Sequence, residues 1–306
     1  MTDYSIPLTF GRMLLLDGKK ASLNYKERLK NEVNILLEEG KRPPHLAAIL
    51  VGNDGASETY INSKVKNCAE TGFQSTLLRL EESISENDLL QQLKALNDND
   101  TIDGILVQLP LPKHINEQKI IEAIHPEKDV DGFHPLNMGK LVQGIPSFIS
   151  ATPYGIMLLL EFYNIETKGK NAVVIGRSNI VGRPMSILLS SNIPYGNSTV
   201  TLCHSQTKNL EEICLGADII VAALGKPGFV KAGMVKEGAV VIDVGITRIM
   251  DSSKKNGYRL QGDVDFENVS EKCMAITPVP GGVGLMTITG LLKNTMMAYR
   301  NRLKEN

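Results

Sequence analysis

Tyr60 and Lys64 stand four residues apart in "TYINSKVK", so a helix sets them side by side. A lysine donates up to three hydrogen bonds and can move a proton, although on a helix it is most often a solvated charge. Gln108 ends the apolar strand-like run of "DGILVQLPLP". A polar residue at the carboxyl end of an α/β strand lies where ligands bind, and neighbouring backbone can equally satisfy its amide. "PEKDVDGFHP" supplies two carboxylates, Asp129 and Asp131, in a stretch where shaping the turn is the ordinary aspartate role.

A second set of residues suits phosphate. "VVIGRSNIVGRPMSILL" runs from strand through a glycine-bearing turn into a helix. Gly176 can take conformations closed to other residues, and Gly182 lets the helix approach the strand. Free N–H groups at the helix start then favour a phosphate. The spacing is G-x-S-x-x-x-G rather than G-x-G-x-x-G, which a plain strand–helix turn can also show. The end of the next strand, "TLCHSQTKNL", lacks the acid that usually holds a ribose 2′-hydroxyl, and offers His204, Ser205 and Lys208 instead. With Arg177 inside the turn, this pocket suits a 2′-phosphate and hence NADP. Outside such a motif Arg177 would read as a surface arginine, and Ser205 could also cap a helix.

"TPVPGGVGLMT", residues 277–287, is a third signal. Proline lacks the N–H and glycine is conformationally loose, so the run continues neither helix nor central strand. A tight connection explains it, as does a ligand that must approach the backbone closely.

These residues need elements to hold them. Strand-like runs cover 46–51, 75–80, 103–109, 171–176, 198–203, 217–224, 238–245 and 273–277. Helical patterns cover 21–39, 57–71, 85–98, 117–124, 182–191 and 207–215. Such alternation predicts an α/β protein with parallel sheets under helical cover. It occurs twice, either side of a Pro- and Gly-rich stretch at 126–152, with a linking helix expected near 153–164. A last helix, about 284–303, has no strand after it and is expected to return to the first domain. The implied division is residues 1–150 plus 284–306 against residues 151–283. In the helix holding Lys64, the apolar face reads as Ile61, Val65, Cys68 and Ala69.

The chain of 306 residues is 42% apolar and carries a net charge of −1, which argues against nucleic acid or an anionic membrane as partner. No apolar run approaches the roughly 20 residues of a membrane span, and the start reads as neither signal nor transit peptide. The four scattered cysteines read as reduced thiols of a cytoplasmic protein. The histidines show no metal-ligand spacing, so no metal is expected.

Six segments, "TYINSKVK", "DGILVQLPLP", "HPEKDVDGFHP", "AVVIGRSNIVGRPMS", "GAVVIDVGI" and "ITPVPGGVG", together resemble the bifunctional methylenetetrahydrofolate dehydrogenase/cyclohydrolase family over nearly the whole chain. The resemblance implies an N-terminal α/β domain and a Rossmann-type NADP-binding domain flanking a folate cleft, and a length sufficient for these two activities alone. It implies that Lys64 is the essential lysine, that Gln108 contacts and tunes it, that Tyr60 stacks on the aminobenzoyl ring and that Asp131 binds the pterin edge. Val107, Leu109, Pro280, Gly281, Gly282, Val283 and Gly284 are implied to line the folate site. Gly176, Arg177, Ser178, Ser205 and Ile246 are implied to face NADP. Tetrahydrofolate derivatives are the implied substrates and a homodimer the implied assembly. Leu285 departs from the family pattern, which commonly has proline after "GGVG". A dehydrogenase without cyclohydrolase activity and a non-catalytic dinucleotide sensor are the alternatives; Lys64 argues against the first, and the second leaves Tyr60, Lys64, Gln108 and Asp131 unexplained.

Overall fold

The computed structural model describes residues 13–254 and 257–305. Residues 1–12 and 306 of the expected first domain lie outside the described residues. In chain order the elements are β1 (Leu14–Leu15), α1 (Gly18–Glu38), β2 (His45–Val51), α2 (Gly55–Glu70), β3 (Gln74–Leu80), α3 (Glu86–Asn97), β4 (Gly104–Val107), α4 (Glu117–Ala123), α5 (Pro135–Val142) and α6 (Ala151–Phe162). They continue with β5 (Asn171–Ile175), α7 (Gly182–Ser190), β6 (Thr199–Cys203), α8 (Leu210–Leu215), β7 (Ile219–Ala222), β8 (Val240–Asp243), β9 (Thr247–Met250), β10 (Tyr258–Gln261), α9 (Phe266–Ser270), β11 (Ala275–Ile276) and α10 (Val283–Glu305).

Two parallel sheets form the frame. The first has the order β3-β2-β4, the second β1-β11-β8-β7-β5-β6, and β9 and β10 make a separate antiparallel ribbon. Strand alternation explains why both sheets are covered on both faces. In β2, Leu46, Ala48 and Leu50 enter one core, while Ala47, Ile49 and Val51 enter another. In β5, Ala172 and Val174 face one way, and Val173 and Ile175 the other. In α2, Ser57, Ile61 and Cys68 are buried, but Val65 is half-buried and Ala69 exposed, so the apolar face is narrower than the sequence suggests.

Three elements tie the halves together. Strand β1 pairs with β11, so the start of the described chain completes the second sheet rather than the first. Helix α6 connects the halves. The 23-residue α10 lies along α6 and reaches α1, α2, β2 and β4. A Cβ on Gly290 would strike the carbonyl of Ala151, and one on Gly155 the carbonyl of Met286, so α6 and α10 pack backbone to backbone. The hydroxyls of Thr152 and Thr287 meet across the same seam at 3.0 Å. No described helix is long and apolar enough to cross a membrane.

Candidate active site

The first cluster sits at the carboxyl end of the smaller sheet. The main-chain N–H of Gln108 continues the ladder by donating to Ile49, and its side-chain Nε2 donates to the carbonyl of Leu109 at 2.7 Å. That bond fixes the amide, leaving Oε1 to accept from Lys64 Nζ at 3.2 Å. Lys64 is half-buried on α2, and Tyr60, one turn away, is 39% exposed at the cleft. Burial pushes the Tyr60 phenol above its ordinary pKa, against the opposing charge of Arg248. The Leu109–Pro110 peptide is cis.

The acids of "DVDG" divide their work. Asp129 accepts from the N–H groups of Phe133 and His134 and from Asn137 Nδ2, at 3.2, 2.8 and 2.9 Å. It therefore shapes the turn, and burial holds its carboxyl up at about 6. Lys128 donates to the carbonyls of Leu96, Asn97 and Asn99, binding the segment to the end of α3. Asn294 of α10 donates to the carbonyls of Val130 and Ile149. Asp131 is thus held by its neighbours, yet its carboxylate accepts no hydrogen bond from any described residue although it is only 8% exposed. Burial raises its pKa, and the positive charge of Lys64 opposes that rise. A buried, rigidly mounted carboxylate without donors is disposed to receive them from a ligand.

The second cluster lies where the strand order reverses, between β5 and β7. Gly176 has φ +123°, and a Cβ there would meet the carbonyl of Ala223; one on Gly182 would meet the carbonyl of Gly176. The Ser178 hydroxyl accepts from the N–H groups of Val181 and Gly182 at 3.1 and 3.4 Å, which caps α7. The N–H groups from Arg177 to Ile180 find no acceptor among the described residues. The side chains of Arg177 and Ser205 are exposed and also make no hydrogen bond there. Ser205 does not cap α8, whose first cap position is Asn209. This is a cradle with bare amides and a free cation, and it fits a dinucleotide phosphate.

The glycines of 280–284 have mixed reasons. Gly281 needs its φ of +107°, Gly282 is buried where a Cβ would press on Pro278 and Thr277, and Gly284 faces Ile246. A Cβ on Gly284 would stand 2.8 Å from Ile246 Cδ1, so the loop after β8 touches this loop and links the two clusters. Val283 is buried, Pro280 exposed, Val107 buried and Leu109 half-buried. The Val279–Pro280 peptide is cis.

Sequence reasoning missed the pair beneath these loops. Asp243, at the end of β8, accepts from the N–H groups of Gly245, Asp263 and Val264 at 3.0, 2.8 and 3.0 Å. Asp263 accepts from Leu224 and Gly225 at 2.6 and 2.9 Å. The two carboxylates fasten the loops after β7 and β8, and burial lifts Asp243 to about 6 despite its three donors. The acid in "VVIDVG", ending an otherwise apolar strand, was the available signal.

A Rossmann-type nucleotide cradle and a lysine–glutamine–aspartate cluster, linked through the Ile246–Gly284 contact, define a two-domain dinucleotide-dependent enzyme. Residues 16–131 match the catalytic domain of tetrahydrofolate dehydrogenase/cyclohydrolase, and residues 150–303 match its NAD(P)-binding domain. The chain belongs to that family. It is 60% identical to the bifunctional protein FolD of Flavobacterium johnsoniae over 294 residues, 96% of this chain and 100% of that one. The bifunctional FolD methylenetetrahydrofolate dehydrogenase/cyclohydrolase of Campylobacter jejuni superposes with a TM-score of 0.89 at 48% identity, covering 95% of this chain and 99% of that one. The Trypanosoma brucei enzyme, solved with NADP and an inhibitor, gives 0.91 at 36% identity, covering 96% and 99%.

Proposed function

We infer that this enzyme oxidises 5,10-methylenetetrahydrofolate to 5,10-methenyltetrahydrofolate with NADP, and then hydrolyses that cation to 10-formyltetrahydrofolate. One observation carries the assignment of residues: the Lys64–Gln108 hydrogen bond stands beside a buried Asp131 that accepts no hydrogen bond from any described residue.

Asp131 offers two acceptor oxygens to adjacent N–H groups of the pterin edge. Those donors would stabilise its ionised form, as the charge of Lys64 already does. Tyr60 gives the aminobenzoyl ring a face to stack on. NADP, when bound, would supply the acceptor for the hydride that leaves the carbon between the two folate nitrogens. That step asks the chain chiefly for alignment, which is worth several kcal/mol. The glycine turn would hold the cofactor's phosphates, and Arg177 and Ser205 would receive the 2′-phosphate. Ile246 lies against the folate loop of Pro280, Gly281, Gly282, Val283 and Gly284.

Hydrolysis needs protons to move between water and a folate nitrogen. Lys64 Nζ is the group that holds and passes that proton, and Gln108 Oε1 fixes where Nζ stands. Val107 and Leu109 border the same floor. The two reactions can share one folate pose, because the hydride and proton demands fall on different groups.

A homodimer in the cytoplasm completes the reading. Strand β3 is an outer strand of its sheet with a half-exposed face, and all four cysteines are buried free thiols. Light scattering at micromolar concentration should report twice the chain mass. The assay that tests the reading runs both reactions with NADP and NAD in parallel, and follows loss of methenyltetrahydrofolate absorbance without any NADP. Hydrolysis no faster than in buffer leaves a dehydrogenase alone. Dinucleotide binding without turnover of any reduced folate leaves a sensor.

A further inference from the structure

Ser150 is the residue before helix α6 and is fully buried. A serine in that place ordinarily caps its own helix by accepting from the second or third N–H of the first turn. This one makes no cap bond, and Pro153, third in α6, has no N–H to give. Its Oγ donates instead to the carbonyl of Ile180, 2.6 Å away. The bond leaves the helix and ends on the glycine turn of the nucleotide domain. Among the described residues, no other side chain from outside that turn bonds its main chain.

Each end of this bond belongs to a site. On one side Ser150 is built into the Asp131 loop. The N–H of Ala151 donates to the Asp131 carbonyl at 3.3 Å, and Asn294 holds the carbonyls of Val130 and Ile149 at 2.8 Å each. Gly132, at φ +71°, lies so close that a Cβ there would stand 2.6 Å from the Ser150 nitrogen. Residues 130–132 and 149–151 therefore form one backbone unit. On the other side, Ile180 sits between Ser178, whose hydroxyl caps α7, and Gly182, with its own N–H among the bare amides of the cradle. One hydroxyl thus spans from the Asp131 loop to the cradle. Unlike the packing of Ile246 against Gly284, this link is directional.

We propose, on the folate and NADP reading given above, that Ser150 is a positioning residue for hydride transfer: it registers the cradle against the Asp131 loop. The bridging carbon of the folate gives up hydrogen with its electron pair to the oxidised nicotinamide and remains as the methenyl cation. Both reactants must be held at near-attack distance by residues of different domains, and a misplacement of about 1 Å can cost about 100-fold. Hydrolysis of the cation draws on water and Lys64, and not on the cradle. Loss of the hydroxyl leaves the Ile180 carbonyl without its partner and the turn free to shift, so the damage falls on one reaction.

The test compares the intact enzyme with Ser150→Ala and with Ser147→Ala, whose lost hydroxyl bonds only within the first domain, to the Asn137 and Phe148 carbonyls. Dehydrogenase kcat and the KM for NADP are measured beside hydrolysis of methenyltetrahydrofolate without NADP. Ser150→Ala should lower dehydrogenase kcat by about 10-fold, the scale of one hydrogen bond left unmade. Its NADP-free hydrolysis should stay within about twofold of wild type, which also reports a folded Lys64 cluster. Ser147→Ala should change neither rate. A parallel fall of both reactions in Ser150→Ala would make the serine a support of the Asp131 loop alone and overturn the proposal. An effect confined to the KM for NADP, or no effect, overturns it too, while the folate reading stands. A wild type that turns over no reduced folate overturns both.

Discussion

Lys64 Nζ donates a hydrogen bond to Gln108 Oε1 across 3.2 Å, and that one bond joins helix α2 to the end of strand β4. The lysine is therefore presented on a frame that does not depend on substrate.

Replacing Lys64 by methionine keeps much of the length and removes the proton site. Cyclohydrolase activity should fall by about 100-fold or more, the scale of a lost acid–base group, and dehydrogenase activity should persist. Steady-state assay of both reactions under the same conditions decides it. A parallel fall in both would make Lys64 a binding or folding residue, and no fall would leave it a solvated charge.

Gln108→Leu removes the acceptor for Nζ and the bond to the Leu109 carbonyl together. Both reactions should slow, by about 10-fold or more for a hydrogen bond to a charged group, with hydrolysis hit harder. Slowing of the dehydrogenase alone would contradict the role given to its Oε1.

Arg177→Ala should raise the KM for NADP strongly and that for NAD little. An arginine–phosphate contact is worth about 1.5–3 kcal/mol, and NAD lacks that phosphate. Equal effects on the two cofactors would remove Arg177 from the 2′-phosphate.

Asp129 titrates at about 6 in the fold against 3.8 ordinarily. The folded state binds that proton more tightly, so the contribution is full below about pH 4 and lost as pH rises through about 6. In Asp129→Asn this part of the pH dependence of the melting temperature should vanish between those values. The variant should also be less stable throughout by about 1–3 kcal/mol, because its amide cannot accept every donor the carboxylate meets. An unchanged slope between pH 4 and 6 would assign the titration elsewhere.

Gly290→Ala sets two effects against each other. Alanine favours a helix by up to about 1 kcal/mol over glycine. The new methyl, however, meets the Ala151 carbonyl, which is main chain of α6 and cannot rotate away. Overpacking of about 1–3 kcal/mol should win, lowering the melting temperature. A stabilised variant would show that the α6–α10 seam has slack.

Much of this was legible beforehand because buried parallel strands announce themselves as apolar runs. β2 and β5 are apolar after their first residues, His45 and Asn171, and β7 is apolar throughout. Strand β1 was not legible: two leucines have no periodicity, and they form a strand only because β11 offers its edge. The β9–β10 ribbon and α5 were hidden by their Gly, Pro and charged residues. At the site, Lys64 and Gln108 came through as motif residues. The division between Asp129 and Asp131 did not, since spacing says nothing about which of two turn acids collects the donors. The glycines of 281–284 looked like room for a ligand, and the structure adds that Gly282 and Gly284 also answer to packing within the chain.

Helix α10 follows the whole nucleotide domain in the chain, yet Leu291, Leu292 and Met296 lie in the same core as Leu46, Leu50 and Leu106 of the first sheet. The order of synthesis thus runs against the order of assembly. The strands around Lys64 and Gln108 emerge early, while the Asn294 amide that clasps the Asp131 loop arrives only after the whole nucleotide domain. Nascent chains usually complete their N-terminal units first. Here an apolar flank must wait through the whole nucleotide domain, and a chain stopped short of residue 283 would keep that flank bare to whatever binds greasy surfaces in the cell.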